Sequence, residues 1–183
     1  MRALPTALPG VLLLEPKVFG DARGYFMETH NTRVFRELTG CAKEFVQDNQ
    51  SRSARGVLRG LHYQAPPKAQ DKLVRVLAGE ILDVAVDLRR GSKTFGKACT
   101  ARLSSENQLQ MWVPTGFAHG FVVLSETADV LYKVTDYWSP AHERAIRWDD
   151  PALAIDWQLT TVPTLSDKDR AAGRLEETYD YTG

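Results

Sequence analysis

The sequence predicts a mainly β fold, of the sandwich or jelly-roll kind, with a few short helices. Short runs of β-branched and aromatic residues recur after the first quarter of the chain. Turn residues separate these runs, for example Gly79-Glu80 and Ser139-Pro140. The chain has 183 residues and contains no linker-like or low-complexity segment. We therefore expect one domain that spans residues 1–183.

The predicted elements begin with a helix at 32–38, which has Asn31 as its N-cap and Gly40 as its C-terminal stop. Apolar and aromatic runs then predict strands at residues 45–47, 57–63, 73–77, 81–88, 109–113, 120–124 and 130–134. A second helix is predicted after Ser166.

The segment 81–88 shows the clearest alternation in the chain. One set of alternate side chains is apolar, whereas the other set includes Asp83 and Asp87. This pattern predicts a half-buried strand, with one apolar and one mixed face.

The charges of the chain balance, with 23 Lys and Arg against 23 Asp and Glu. Because there is no net field, nucleic acid and membrane surfaces are not expected as partners, and an anionic ligand would need a local basic cluster. The apolar run at residues 11–14 is too short for a signal peptide core or a membrane span. Cys41 and Cys99 show no paired spacing, which is typical of reduced thiols and indicates a cytoplasmic location.

The segment from Gln47 to Gln64, QDNQSRSARGVLRGLHYQ, concentrates chemically active side chains. It contains three arginines, a cluster of amides and His62. Guanidinium groups bind phosphate oxygens, amides orient sugars and bases, and imidazole titrates near neutral pH. This combination predicts an enzyme that acts on a phosphorylated sugar.

Three separated motifs, in this order, carry a resemblance to a known family: RGVLRGLHYQ at residues 55–64, WVPTGFAHGFVVLSE at 112–126 and LSDKD at 165–169. The chain resembles the dTDP-4-dehydrorhamnose 3,5-epimerase family from about Leu12 to about Leu175. The resemblance implies a homodimer that needs no cofactor. Its substrate would be a dTDP-linked 4-keto-6-deoxyhexose, dTDP-4-dehydro-6-deoxy-D-glucose, and its product dTDP-4-dehydro-L-rhamnose, formed through an enolate.

The resemblance assigns the proton transfers to His62 and Tyr132. A strand histidine is more often structural, and a strand tyrosine more often belongs to the core, so the residue types alone leave both roles open. By resemblance, His62 removes a proton from carbon and Tyr132 donates one to the opposite face. Arg59 and Lys72 lie close to His62 in the predicted strands and are expected to lower its pKa, which favours the neutral imidazole that a base requires.

Two interpretations apply to Asp169. Ser166 and Asp169 fit a helix capping box, with a serine N-cap and an acid at the third helical position. By resemblance, Asp169 instead orients His62 as the second member of a dyad, and Lys168 contributes to substrate binding. The two roles can coexist.

The resemblance also implies a wider set of substrate-binding residues, two of which act in part across the dimer interface. For each member of the set, a solvated surface or core position is the alternative. The set is Arg23, Glu28, Gln47, Asp48, Asn49, Arg59, His119, Trp138, Glu143 and Lys168.

The sequence around His119 matches half of a metal-binding pattern that is common in cupin jelly rolls. Pro114, Gly116 and His119 fit PxGxxH, but Gln64 and Lys72 occupy the positions of a second histidine and a carboxylate ligand. An ammonium group repels a divalent cation. We therefore expect a cupin-like jelly-roll barrel without a metal, in which Lys72 and His119 stabilise an oxyanion at the sugar 4-position.

Three other functions remain open at this level. A related enzyme that inverts a single carbon would use the same residues. A metal-dependent cupin oxygenase or isomerase is disfavoured by Gln64 and Lys72, and a sugar-binding cupin without catalysis would not need His62, Tyr132 and Asp169 together. No GxGxxG or P-loop motif indicates a redox or nucleotide cofactor.

Overall fold

A computed structural model describes residues 1–177 and 181 of the chain. Strands account for most of its regular structure. They are β1 (Arg2–Pro5), β2 (Leu12–Glu15), β3 (Val18–Asp21), β4 (Gly24–Met27), β5 (Gln47–Ala54), β6 (Leu58–Gln64), β7 (Lys72–Ala78), β8 (Glu80–Asp87), β9 (Ala98–Ser104), β10 (Gln110–Val113), β11 (Phe117–Val123), β12 (Thr127–Val134) and β13 (Glu143–Ala145). The helices are α1 (Thr32–Thr39), α2 (Asp167–Arg170) and a 3-10 turn (Leu175–Glu177).

Two antiparallel sheets form the body of the protein. The six-stranded sheet has the order β1-β2-β10-β7-β12-β5, and the five-stranded sheet has the order β13-β6-β11-β8-β9. Apolar side chains from both sheets share one core, for example Val74 and Val76 from β7 with Ala85 and Phe121 from β8 and β11. The fold is therefore mainly β and of the cupin-like jelly-roll kind, which confirms the prediction. Strands β3 and β4 form a separate hairpin.

Strand β8 is buried on both faces, so the prediction of a half-buried strand is wrong. Its inner face joins the core between the sheets, and its outer face lies under a second apolar cluster that includes Trp157. Asp83 and Asp87 both have 0% exposure. Alternation identifies the polar side chains of a strand, but it does not show that a later segment of the chain covers them.

Helix α1 confirms the predicted helix together with both of its end signals. Asn31 Oδ1 accepts a hydrogen bond from the Val34 amide at 3.2 Å, which is N-cap geometry. Gly40 adopts a left-handed conformation, with φ of 70°, and its amide donates to the Arg36 carbonyl at 2.9 Å. Phe35 anchors the helix on the outer face of the six-stranded sheet, with its ring 4.9 Å from that of Trp112.

Strand β5 departs most from its prediction, because the predicted segment 45–47 ends where Gln47–Ala54 begins. The sequence QDNQSRSA lacks apolar alternation, since the strand borders a polar cavity and lies at a sheet edge. Strands β1 to β4, β9 and β13 also lie outside the predicted segments. They are short or rich in polar residues, so their pairing partners rather than their own sequences stabilise them.

Among the described residues, no helix is both long and apolar enough to cross a membrane. Cys99 is buried and Cys41 is partly buried, and both are free thiols.

Candidate active site

A polar cavity of about 260 Å³ is lined by residues from strands of both sheets. Seven of the residues that the sequence predicted as catalytic or substrate-binding contribute to its walls. The lining residues are Gln47, Asn49, His62, Tyr63, Gln64, Gln70, Lys72, Tyr132, Trp138 and Glu143.

An irregularity in β6 determines which side chains face the barrel interior. His62 pairs with His119 of β11, but Arg59 pairs with Phe121, so two residues of β6 oppose one residue of β11. This bulge reverses the alternation and places Arg59 and His62 on the same, inner face. Gly60 is required there because its φ is 128° and a Cβ atom would lie 2.6 Å from the Cα of Gly120.

His62 and Asp169 form a close pair. The distance from His62 Nε2 to Asp169 Oδ1 is 2.5 Å, and the carboxylate is only 2% exposed. An ionised carboxylate only accepts, so Nε2 carries the proton and Nδ1 is left as the basic nitrogen. Burial lowers the pKa of His62 below its usual range and outweighs the opposing effect of Asp169, while Lys168 and Lys72 lower it further.

The predicted cause of this pKa shift needs a correction. The direction is as expected and Lys72 contributes, but burial is the largest cause. The sequence offered the neighbouring cations as the cause, since it did not show how deeply the ring of His62 would be buried.

Asp169 also completes the predicted capping box of α2. Ser166 Oγ accepts a hydrogen bond from the Asp169 amide at 3.1 Å and donates to Asp169 Oδ2 at 2.8 Å. Burial would raise the pKa of Asp169, but the hydrogen bonds from His62 and Ser166 outweigh it, so the pKa lies below its usual value. Asp169 thus contacts Ser166 through Oδ2 and His62 through Oδ1, which is the geometry that both interpretations require.

Lys72 places a cation at the base of the cavity. It is 8% exposed, and its Nζ donates to the backbone carbonyl of His62 at 3.1 Å. Burial lowers its pKa to about 8, against the effects of Asp83 and Glu143, which raise it. Lys72 is therefore mostly protonated at neutral pH, but by a narrow margin.

Tyr132 faces the cavity from the sheet opposite His62. It lies on β12, beside Asn49 of β5 and Val74 of β7, whereas His62 lies on β6 of the five-stranded sheet. Burial raises the pKa of the Tyr132 phenol, so the group carries its proton at neutral pH. A base and a protonated phenol thus border one cavity from opposed walls.

Strand β5 contributes alternate side chains to the cavity. Gln47 and Asn49 line it and are joined by a hydrogen bond of 2.8 Å. Asp48 lies on the opposite face of the strand, where its carboxylate accepts hydrogen bonds from Lys133 at 2.8 and 2.9 Å. The predicted binding element QDN is therefore split, because successive strand residues point to opposite faces.

The rim of the cavity carries an ion pair and an exposed aromatic ring. Lys168 Nζ lies 2.8 Å from Glu143 Oε1, which helps to lower the pKa of Glu143 against the effect of burial. Trp138 is 58% exposed, and its amide donates to Gln47 Oε1 at 3.1 Å. Arg59, on the inner face of β6, donates through Nε to Ser53 Oγ at 3.1 Å and acts electrostatically on Tyr132.

His119 does not line the cavity. It is 6% exposed, and its Nε2 lies 2.7 Å from Asp83 Oδ1, behind the cavity wall. The other members of the metal-like motif are also engaged. The Gln64 amide donates to the Lys68 carbonyl at 2.5 Å and accepts from the Ser139 amide at 2.7 Å, while Lys72 is a cation. These groups do not form a ligand set for a metal.

Arg23 and Glu28 lie away from the cavity within this chain. Arg23, in the β3–β4 hairpin, pairs with Asp21 at 2.5 Å, and Glu28 accepts a hydrogen bond from Asn31 at 3.3 Å. A single chain therefore does not bring these two predicted residues to the site.

Sequence reasoning missed several groups that lie at or behind the cavity. Gln70 and Tyr63 line it, and Asp83 is buried behind it. Gln70 and Tyr63 carry no local signal for such a role. For Asp83 a signal existed, since it is a carboxylate between apolar residues on the face of β8 that points into the barrel.

The chain is similar to known proteins over nearly its whole length. The family described as dTDP-4-dehydrorhamnose 3,5-epimerase matches residues 5–177. A dTDP-4-dehydrorhamnose 3,5-epimerase of Pseudomonas aeruginosa is 63% identical over 93% of each chain.

Solved structures show the same fold. A dTDP-6-deoxy-D-glucose-3,5-epimerase from Legionella pneumophila, in complex with dTDP-4-keto-L-rhamnose, has a TM-score of 0.93 and 52% identity over 96% of this chain and 93% of that one. A 3'-monoepimerase from Streptomyces bikiniensis, in complex with dTDP-quinovose, has a TM-score of 0.88 but only 32% identity, over 96% and 88% of the two chains.

Proposed function

The chain belongs to the dTDP-4-dehydrorhamnose 3,5-epimerase family, and we propose that it inverts carbons 3 and 5 of dTDP-4-dehydro-6-deoxy-D-glucose to form dTDP-4-dehydro-L-rhamnose. The observation that carries this proposal is the pair of opposed groups in one cavity, the His62–Asp169 dyad on one wall and Tyr132 on the other. Inversion at a carbon requires removal of a proton from one face and delivery of a proton to the other.

His62 acts as the base through Nδ1. Burial and the neighbouring lysines favour its neutral form, which is the form that accepts a proton. Asp169 orients the ring and stabilises the imidazolium that forms. A ketone at carbon 4 acidifies the hydrogens at carbons 3 and 5, because either carbanion delocalises into an enolate.

Lys72 stabilises the oxyanion of that enolate. Its ammonium lies in the same cavity as His62 and Tyr132, and a cation that is already in place stabilises developing charge without reorganisation. His119 lies next to His62 across the paired strands β6 and β11 and supports the same wall.

The nucleotide end of the substrate is bound by the remaining polar groups at the cavity and its rim. A guanidinium such as that of Arg59 binds phosphate oxygens, the amides of Gln47 and Asn49 offer donors and acceptors, and the exposed ring of Trp138 can stack on a base or sugar. Glu143 and Lys168 complete the rim as an ion pair. Binding energy from this end positions the sugar between base and acid.

We expect Tyr132→Phe to separate the two proton transfers. The variant keeps the ring and the base but lacks the phenolic proton, so exchange of substrate hydrogens with solvent should survive better than completed inversion. Measurement of deuterium uptake and product formation by NMR on the same sample gives both rates. An equal loss of exchange and inversion would show that the phenol is not the acid of the second transfer.

The assembly that we propose is a homodimer. The β3–β4 hairpin exposes a cross-strand aromatic pair, Phe19 at 53% and Phe26 at 71%. Strand β5 lies at the edge of the six-stranded sheet and, among the described strands, pairs only with β12. In a two-fold dimer, the exposed hairpin of one subunit can pack against the open sheet edge of the other, near the cavity. This contact would bring Arg23 and Glu28 of one subunit to the site of the other.

The double variant Phe19→Ser, Phe26→Ser is therefore expected to be monomeric and to bind dTDP at least about tenfold more weakly, since two buried aromatic anchors would be lost from the interface. Light scattering and calorimetric titration with dTDP measure the two effects. Val162→Ser is the matched control, because Val162 is 90% exposed and lies elsewhere on the surface. A double variant that remains dimeric would contradict the role of the hairpin.

The cytoplasm is the location that we propose for this enzyme. Its two cysteines are free thiols, which is usual in a reducing compartment such as the cytoplasm.

The experiment that tests the function is incubation with dTDP-4-dehydro-6-deoxy-D-glucose in deuterated buffer, followed by NMR. Deuterium at carbons 3 and 5 with inversion at both is the expected result. Inversion at a single carbon would identify the single-carbon alternative, and absence of exchange would indicate a binding protein. Loss of activity on chelation, restored by a divalent ion, would identify a metal-dependent enzyme.

A further inference from the structure

The carboxylate of Asp83 is buried directly behind the proposed site and has no assigned role. Asp83 lies on β8, between Ile81 and Ala85 on the face that forms the barrel core, and its exposure is 0%. Its Oδ1 accepts a hydrogen bond from His119 Nε2 at 2.7 Å. Its Oδ2 accepts no hydrogen bond from any described residue.

A carboxylate with one unpaired oxygen in a core is costly unless a cation compensates it. The effective penalty for a buried ion is several kcal/mol, and a charge of opposite sign nearby reduces it. Lys72 faces the same interior from β7 of the opposite sheet: its Nζ donates to the His62 carbonyl, and His62 pairs with His119, the partner of Asp83. Burial lowers the pKa of Lys72, and the charge of Asp83 opposes that effect. The two charged groups are thus both buried around the paired residues His62 and His119.

We propose that Asp83 is a positioning residue whose negative charge keeps Lys72 protonated in the cavity, and whose Oδ1 holds the ring of His119. The proposal rests on the proposed function, because it assigns the oxyanion to Lys72. Asp83 does not touch the substrate in this proposal. It acts by keeping the cation charged over the pH range in which the enzyme works.

Several charged or titratable groups face Lys72 and Asp83 from the surrounding elements. Glu143 on β13 acts in the same direction as Asp83, whereas Lys168 on α2 acts in the opposite direction. His62 on β6 accepts the hydrogen bond from Lys72 through its backbone carbonyl. The titratable and charged groups around Lys72 and Asp83 are His62, Cys99, His119, Tyr132, Glu143 and Lys168.

The sign of the expected pH effect follows from these contacts. Activity requires protonated Lys72, so it is lost as the pH rises through the pKa of this group, which is about 8. Removal of the Asp83 charge lowers that pKa further, so the alkaline limb of the pH–activity profile moves to lower pH. His62 governs the acid limb, because it must be neutral, and its pKa is already below the usual range.

Asp83→Asn tests the proposal, since an amide retains an acceptor for His119 but carries no charge. If the pKa of Lys72 falls by about one unit, kcat falls about tenfold near pH 9 and little near pH 6, because one unit corresponds to a tenfold change in the protonated fraction. Recovery at low pH is the decisive readout, since a merely structural defect would lower kcat at every pH.

The matched control is Asp150→Asn. Asp150 is another buried carboxylate, 5% exposed, but it accepts hydrogen bonds from the amides of Ala152 and Leu175, away from the cavity. Its alkaline limb should coincide with that of the parent enzyme. If Asp83→Asn does not fold, Asp83→Thr removes the same charge with a residue that suits a strand.

An alkaline limb that is unchanged in a folded Asp83 variant, or a loss that is equal at all pH values, overturns the proposal. These outcomes are distinct from failure of the proposed function, in which the parent enzyme itself would show no exchange at carbons 3 and 5.

Discussion

Replacing His62 with alanine is expected to lower turnover by about 10²–10⁴-fold, which is the usual contribution of a positioned general base. The imidazole lines the cavity with Nε2 held by Asp169, whereas the other described pair of this kind, His119 with Asp83, does not line it. Both proton exchange and inversion should be lost, because both begin with removal of a proton. The measurement is the rate of deuterium uptake at carbons 3 and 5, followed by NMR.

Two controls separate a chemical defect from a structural one. Affinity for dTDP should be retained, since the nucleotide is assigned to Arg59 and the rim of the cavity rather than to His62. His142→Ala is the matched variant, because this ring contacts Ser139 at 2.8 Å and does not line the cavity, so its activity should stay within about threefold of the parent. Near-normal exchange by His62→Ala would exclude the assignment of the base.

Asp169→Asn is expected to reduce turnover by about 10²-fold or more while leaving the fold nearly unchanged. The amide keeps the shape of the carboxylate, but it does not stabilise an imidazolium and permits the wrong tautomer of His62. The backbone amide of residue 169 still donates to Ser166 Oγ, so the cap of α2 remains. Turnover and thermal stability should both be measured on this variant.

Ser166→Ala should have the opposite effect to Asp169→Asn, with a larger loss of stability and a smaller loss of turnover. It removes the cap, which costs about 1 kcal/mol in helices of this kind, but it leaves the Asp169 carboxylate against His62. Stability should therefore fall more in Ser166→Ala, and turnover should fall more in Asp169→Asn. If the two variants lose turnover equally, Asp169 serves the helix and not the imidazole.

The accuracy of sequence reasoning differed between segments for physical reasons. Helix α1 was predictable to within one residue, because Asn31 and Gly40 form its end hydrogen bonds locally. Strand β5 was not predictable in its full length, since its inner side chains are polar and face a cavity rather than a core. Strand β8 was found, but its second buried face depends on a cluster that includes Trp157, about 70 residues later in the sequence.

The residues of the candidate site likewise differ in how far the sequence predicted their placement. The family resemblance carried by the motifs predicted His62, Tyr132, Asp169 and Lys72 as one set, whereas the residue types alone left their roles open. The motifs did not show that Asp48 points away from the cavity that Gln47 and Asn49 line. Asp48 instead pairs with Lys133, which comes from a different strand. The local pattern at Ser166 indicated only the cap of Asp169, whereas its contact with His62, 107 positions away, was expected from the family resemblance.

The sequence by itself determined the secondary-structure class, the ends of α1 and the chemical types of the side chains at the site. The tertiary structure decided which of these side chains meet. The bulge at Gly60 turns Arg59 and His62 to one face, sheet packing sets Tyr132 opposite His62, and strand pairing brings His119 and its partner Asp83 beside His62. Contacts of this kind depend on strand register and on the packing of distant segments, and no local pattern of residues encodes them.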